Sequence, residues 1–490
     1  MALSFYHSFP ATAADQSHGR LLHSWLSNPE PVRYADSHSL ARQLLVPRQF
    51  PKVANRPSVR LRILLPAQVL IRLLDSRGLR LVTRRLDIGC WVPQRWFLAL
   101  WCWEGLPDSP NPGSSLPPNR LMSAHVPSLS ITEWKPVTGT LPPLSHEEWM
   151  ENFNKYKDSP EYRILNSNMT LDEYKFIYFM EWSHRLWGRA IGLTFVLPAI
   201  YFTTRRRVTP KVALRLMGIA GMIGFQGFVG WWMVKSGLRD DLFAEPGSHP
   251  RVSQYRLTAH LGTAFAVYAA MLWSGLDILR DNRLLRGAQG SGALVVVKSL
   301  SAPQLRVFRR LVGLLVAMVF ATAMTGGLVA GLDAGLIYNE FPKMGAGYVP
   351  PTKEMMDPFY SHAEDRSDLW WRNMLENPTT VQFQHRVMAL STFAAISMVF
   401  AYSRFNPRVA AAMPKKVKAG MAGVLHLASL QVLLGIGTLV YMVPTHLAAS
   451  HQAGALALLT GSIVLGHRVW LPRTAAGIAA KRIRAASQRP

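Results

Sequence analysis

An all-α polytopic membrane protein made of two pseudo-symmetric four-helix bundles is the fold class this sequence predicts, and three observations predict it. From about residue 186 onward, apolar stretches long enough to cross roughly 30 Å of hydrocarbon recur with few internal charges. Lys and Arg accumulate in alternate segments between them. Two related runs, Glu181-Trp-Ser-His-Arg185 and Gln382-Phe-Gln-His-Arg386, each lead into one of these apolar stretches, so one helical unit is used twice. Whole-chain averages conceal the pattern. A hydrophobic content of 49% and a mean hydropathy of +0.09 suit a soluble protein, because a polar, Arg-rich N-terminal third dilutes an apolar remainder.

Seven spans are expected, at 186 to 203, 213 to 234, 257 to 278, 309 to 331, 385 to 403, 419 to 441 and 447 to 469. In the first, Arg189 is the sole charge; in the second, Arg215; in the third, Asp277. The fourth begins at Arg309-Arg310 and is dense in small residues (Gly326, Gly327, Ala330, Gly331) that permit close helix packing. Arg386 and Arg468 are the only charges of the fifth and seventh, and the sixth has none. Lys and Arg accumulate on the side from which helices insert. That side receives 204 to 212, with Arg205, Arg206, Arg207 and Lys211, then 279 to 308, then 404 to 418, and the basic tail. The opposite side receives 235 to 256, the long acidic 332 to 384, and 442 to 446. The net charge of +25 is thereby assigned to topology and the N-terminal region, and nucleic acid is excluded as its partner.

Upstream of the spans the reading is sparser. Residues 1–85 are rich in Arg and Ser and poor in acid, as a mitochondrial transit segment is, and are expected to be disordered. Residues 86–127 form a Pro-rich stretch with no clear helix; Trp96 to Trp103 is too short to span. Cys90 and Cys102 are the only cysteines, so neither a disulfide framework nor a Cys-ligated metal is expected. The remainder divides into an N-terminal half-bundle at 128–285, a basic loop at 286–308, a C-terminal half-bundle at 309–470 and a basic tail at 471–490.

Histidines carry the chemistry. His184, His260, His385 and His451 all fall near the span ends on the acidic side, two in each half, and so share one depth. An imidazole inside a membrane needs a partner or a ligand. Two histidines on facing helices of a bundle are what axial ligation of an iron porphyrin requires. His426, His446 and His467 are given no cofactor role, and His146-Glu147-Glu148 is not a zinc motif because Met150 stands where its second histidine belongs. The repeat extends further. Gln226 and Gly230 match Gln431 and Gly435, and Leu129-Ser-Ile-Thr-Glu133-Trp134 mirrors Leu336-Ile-Tyr-Asn-Glu340-Phe341. Arg185 and Arg386 each follow a histidine and can pair with anionic groups of a cofactor or anchor a helix end. Glu181 shares a helix face with His184, three residues on, whereas its counterpart Gln382 has no ionisable group.

The runs EYKFIYFMEWSHRLWGR, GFVGWWMVKSGL, GLDAGLIYNEFPKMG and QFQHRVMAL resemble the eukaryotic form of the haem A synthases, over about residues 128 to 470. The resemblance implies an eight-helix mitochondrial inner-membrane enzyme of cytochrome oxidase assembly. Such an enzyme binds haem b and oxidises a methyl group of haem O to a formyl group. It further implies that His385 and His451 ligate the resident haem, and that His184 and His260 form the corresponding pair at the substrate haem with Glu181 beside them. The family's first helix is not recognisable upstream of Ser128, which leaves seven spans and an incomplete first bundle. No flavin or nucleotide motif is present, so an external electron donor, a matrix ferredoxin system, is expected, with haem O synthase, oxidase assembly factors, membrane lipid and a second copy of the chain as further partners. Two other readings of four histidines stand beside this one: a di-haem b-type electron-transfer cytochrome, and a haem carrier or assembly chaperone. The charge bias makes a separate prediction. Protease applied to mitoplasts should cut the loop 332 to 384 and spare a C-terminal tag; loss of the tag would overturn the orientation.

Overall fold

The computed structural model describes residues 130–133, 141–237, 252–285 and 291–487. The transit-like segment, the Pro-rich stretch, Cys90, Cys102 and Trp134 lie outside the described residues. Two short helices, α1 (His146–Lys157) and α2 (Pro160–Leu165), precede the spans. The seven spans follow as α3 (Leu171–Thr204), α4 (Pro210–Gly237), α5 (Gln254–Leu285), α7 (Leu305–Gly331), α9 (Pro378–Phe405), α10 (Lys415–Val440) and α11 (Thr445–Val469). All seven are long and apolar enough to cross a membrane.

The first span starts at Leu171 rather than at 186, so Glu181 to Arg185 lie well inside a helix instead of opening one. A hydropathy window misses the extra turns because they are polar. They form because Thr170 and Glu173 close a capping box that satisfies free N–H groups at the helix start. They are held because Tyr174 and Tyr178 bury against Phe153 and Tyr156, with Tyr174 packed 4.9 Å from the Phe153 ring and 5.2 Å from that of Tyr156. Outside the spans, burial first and the adjoining Glu161 carboxylate second push the Tyr156 hydroxyl far above its ordinary range, so it stays a neutral donor to Glu161 at 2.8 Å.

In the C-terminal half α7 packs against α9, α9 against α10, α10 against α11, and α11 back against α7, closing a four-helix ring. The two histidine helices, α9 and α11, are thus diagonal to one another. One apolar cluster fills the ring and continues into the other half, with Phe265, Phe308, Ile396, Met421 and Leu456 at its centre. In the N-terminal half α3 packs on α4 and α4 on α5, and α5 joins the halves by packing on both α7 and α11. Small residues of α7 allow this approach. A Cβ at Gly331 would stand 2.8 Å from the Cα of Gln254, and one at Gly327 would meet Thr258 at 3.1 Å.

Away from these contacts the spans present Leu193, Leu197, Leu214, Met398 and Leu433 outward, each more than half exposed. Apolar surface of that extent is stable only against lipid.

The two basic segments carry structure that their composition does not announce. Helix α6 (Ser291–Leu300) lies in the loop 286–308 and α12 (Arg473–Ser487) in the tail. Ala475 and Ala479 of α12 bury against Leu284 and Leu285. On the acidic side, α8 (Leu369–Glu376) is fixed by Asp368, whose carboxylate accepts from Ser361 Oγ at 2.6 Å, His362 N–H at 3.0 Å and Arg372 Nε at 3.2 Å. The Ser361 bond is the largest influence holding that carboxyl down at about 2. His467, expected to anchor at the interface, is instead only 4% exposed, with Nε2 3.1 Å from Asp277 of the other half. The same carboxylate takes Arg280 at 2.9 Å and Arg215 at 3.2 Å, and Arg280 reaches the carbonyls of His467 and Trp470. Three donors from α4, α5 and α11 converge on one acid that sits where the other half has Arg468. Asp277→Ala should therefore destabilise the protein by about 3 kcal/mol, the scale of breaking a buried ion pair, read as a lower unfolding midpoint in detergent. An unchanged midpoint would show that this junction does not hold the halves together.

Candidate functional site

Each half ties the segment before its first histidine helix to that helix in the same way. In the N-terminal half Glu181 accepts from Ser130 Oγ at 2.7 Å and from the Ile131 N–H at 2.9 Å through one oxygen, and from Arg185 at 2.5 Å through the other. Arg185 then donates to the carbonyls of Ile131 at 3.1 Å and Glu133 at 3.4 Å. In the C-terminal half Gln382 donates to the Tyr338 carbonyl at 3.0 Å, and Arg386 to Tyr338 at 2.9 Å and Lys343 at 3.1 Å. Ile131 and Tyr338 occupy equivalent places in the mirrored runs read from the sequence. The expectation that Arg185 and Arg386 meet anionic cofactor groups stands beside a second role visible in the geometry: both guanidinium groups hold loop carbonyls.

His184 and His385 lie within these clamps on α3 and α9, and His260 and His451 lie on α5 and α11. The rings of His184 on α3 and His260 on α5 have centroids 6.4 Å apart with planes inclined at 68°. His385 on α9 lies within electrostatic range of His451 on α11. All four histidines are half-buried as residues.

Three of the rings rest on a glycine of a neighbouring helix. A Cβ built on Gly230 would stand 2.8 Å from His260 Cε1, on Gly435 3.0 Å from His451 Cε1, and on Gly326 3.2 Å from His385 Cε1. A polar side chain from the same helix meets each ring. Gln226 Nε2 lies 3.1 Å from His260 Nδ1 and donates to the His260 carbonyl at 3.1 Å. Gln431 repeats this at His451 with 3.2 and 2.8 Å. Thr325 Oγ1 lies 2.8 Å from His385 Nδ1, and its own hydroxyl proton goes to the Thr322 carbonyl at 2.8 Å. Thr325 must therefore accept, His385 must carry its proton on Nδ1, and its Nε2 is left with a lone pair.

These residues fit a haem. Metal to imidazole nitrogen bonds of about 2.0–2.1 Å separate two ring centres across one metal by about 6–6.5 Å, and the His184–His260 pair has that separation. The donor set is two imidazoles rather than a cage, since among the described residues no three His, Cys, Asp or Glu side chains gather to hold an ion. Gln226 Oε1 and Gln431 Oε1 are buried without a hydrogen-bond partner among the described residues, at equivalent positions beside the two pairs. An orphaned buried acceptor is unfavourable by about 1–3 kcal/mol, and the same atom is orphaned at the equivalent position of each half.

Sequence reasoning singled out the four histidines, Glu181, Arg185 and Arg386, and it noted Gln226, Gly230, Gln431 and Gly435 as a repeat without a role. It missed Thr325, whose only signal is its position directly before Gly326, and the Asp277–His467 junction, whose partners are 190 residues apart.

The fold and site define a class: a polytopic helical membrane protein of two related bundles, each with a histidine pair on facing helices. Comparison with known proteins narrows this. The cytochrome oxidase assembly protein family, COX15-CtaA, matches residues 125–463. The chain is 51% identical over 345 residues to the heme A synthase COX15 of Saccharomyces cerevisiae, covering 70% of each protein. It is 42% identical over 339 residues to the heme A synthase COX15 of Homo sapiens, covering 69% of this chain and 74% of that one. A heme A synthase-mitochondrial ferredoxin fusion protein of Schizosaccharomyces pombe is 46% identical over 343 residues, covering 70% of this chain and 55% of the fusion. The chain belongs to the COX15-CtaA family of cytochrome oxidase assembly proteins.

Proposed function

We propose that this multi-pass mitochondrial membrane protein is a haem A synthase of the inner membrane that divides its labour between its halves. His385 and His451 hold a resident b-type haem, and haem O is oxidised between His184 and His260, one of its methyl groups becoming the formyl group of haem A. The observation that carries the reading is the pair of histidines on facing helices, repeated in both halves with a shared glycine and glutamine support, in a chain of this family. When bound, the haem iron supplies the one-electron and oxygen chemistry that no side chain provides. The protein binds, orients and moves protons.

The halves differ in how they are equipped for this. His385 is fixed in the tautomer whose Nε2 is free, through a threonine hydroxyl already committed to a carbonyl, which suits a permanent ligand. His184 has Glu181 one helical turn away, where the C-terminal half has Gln382. Glu181 accepts three hydrogen bonds, and one of them comes from the Ser130 hydroxyl, which can reverse and accept if the carboxyl takes a proton. That makes Glu181 the group placed to receive a proton while the methyl group is oxidised. Electrons come from outside the chain. The fusion of a relative to mitochondrial ferredoxin favours a matrix ferredoxin as donor. Haem O synthase, oxidase assembly factors and a second copy of the chain are partners that this place in oxidase assembly invites.

The deciding experiment is expression with a source of haem O followed by pigment extraction, with haem A as the product. Extracts holding only haem b and haem O would leave an electron-transfer cytochrome or a haem carrier as the better reading. His385→Ala and His451→Ala should each remove most of the haem that co-purifies, and a full, unchanged haem spectrum in both would refute the resident site. Glu181→Gln, which imitates the other half, should keep the resident haem while lowering haem A formation by about 10²-fold or more. Haem A formed at the normal rate by that variant would end the proposed division of labour.

A further inference from the structure

Glycines in a membrane helix ordinarily mark close helix packing, and Gly327 and Gly331 of α7 do so against α5. Gly230, Gly326 and Gly435 are different. At each of them the three atoms nearest to an added Cβ all belong to one imidazole ring: His260, His385 and His451 respectively. The ring lies on bare helix backbone, and a polar side chain of the same helix, Gln226, Thr325 or Gln431, meets its Nδ1 at 3.1, 2.8 or 3.2 Å. Two contacts hold each ring: the bare glycine lets its Cε1 edge approach the helix, and the tether engages its Nδ1.

We propose that Gly230, Gly326 and Gly435 are positioning residues whose missing side chains seat the imidazoles on the axis of a haem, and that each works with its tether as a unit. The inference rests on the reading of these histidines as haem ligands and adds the element that aims them. A methyl group at any of the three would stand 2.8 to 3.2 Å from ring carbon Cε1. The ring would have to move away, because the backbone carrying that methyl cannot yield as the tip of a side chain can. A displaced ring loses the place beside its tether that these contacts give it.

The same helices supply the controls. A Cβ at Gly437 of α10 would be 3.9 Å from Leu447, an ordinary contact, and at Gly227 of α4 or Gly313 of α7 it would meet nothing within 4 Å. Alanine is also the better helix former, so a loss on Gly→Ala cannot come from weakening the helix.

The test uses the full chain purified in detergent, with circular dichroism and monodispersity confirming that each variant folds. Gly326→Ala and Gly435→Ala should lower affinity for the co-purifying haem by about 10- to 100-fold, the range seen when the supports of a metal ligand are removed. The haem that remains should shift from a six-coordinate low-spin spectrum to one that binds carbon monoxide. Gly313→Ala and Gly437→Ala should keep the parent spectrum. Gly230→Ala should keep the resident spectrum and weaken binding of added haem b at the other pair, whereas Gly227→Ala should leave both as they are. Parent spectra and affinities in all three seat variants, or equal losses in the controls, would overturn the proposal. Its foundation fails separately: if His385→Ala and His451→Ala keep the low-spin spectrum, the histidines are not the ligands and the glycines seat nothing.

Discussion

An imidazole placed among membrane spans has two ring nitrogens to satisfy and no water to satisfy them, and the arrangement of both halves follows from that constraint. A nitrogen directed at a neighbouring helix needs a partner there, which Gln226, Thr325 and Gln431 provide. For such short side chains to reach, the neighbouring backbone must come close, and it does so where Gly230, Gly326 and Gly435 remove the Cβ. In the N-terminal half the ring so held stands 6.4 Å, centroid to centroid, from that of His184. Helix spacing, the positions of glycines and the choice of polar residues in otherwise apolar segments are thus parts of one solution.

The second recurring device is the clamp at the acidic end. Glu181 with Arg185, and Gln382 with Arg386, each hold the segment that precedes their helix, and the bonds run to backbone atoms of equivalent residues, Ile131 and Tyr338. These bonds give partners to the Ile131 N–H and to the Ile131, Glu133, Tyr338 and Lys343 carbonyls where the chain turns into the helix. The halves use opposite polarity at one point: a carboxylate accepts from the Ile131 N–H, and an amide donates to the Tyr338 carbonyl. That single exchange gives one half an ionisable group beside its histidine and denies it to the other. A repeated scaffold becomes two chemically distinct sites by a change of one functional group.

The halves are joined by more than apolar packing. On the basic side Asp277 draws together Arg215, Arg280 and His467, and on the acidic side the Tyr255 hydroxyl donates to Glu376 at 2.8 Å. Both contacts connect α5 to the C-terminal half, so α5 is at once a histidine helix and the junction. Movement of one half against the other would therefore be felt at His260.

The sequence by itself determined the class of fold, because apolar length and the alternation of charged loops are read by the membrane directly, one segment at a time. All seven expected spans are helices, and the rings of His184 and His260 stand together on facing helices. The sequence misplaced the start of α3, because the turns from Leu171 are held by a capping box and buried tyrosines rather than by hydropathy, and it put at the interface His467, which is buried against Asp277. Tertiary structure alone decided the rest. Which glycines touch rings and which touch helices is invisible in a run such as Gly326-Gly327, where neighbours one residue apart face different elements. The tautomer of His385 depends on where the Thr325 proton goes, and the Asp277–His467 pair spans 190 residues of sequence. Periodicity and charge are properties of a segment, whereas a hydrogen-bond partner or a close approach belongs to two segments at once, and only their packing specifies it.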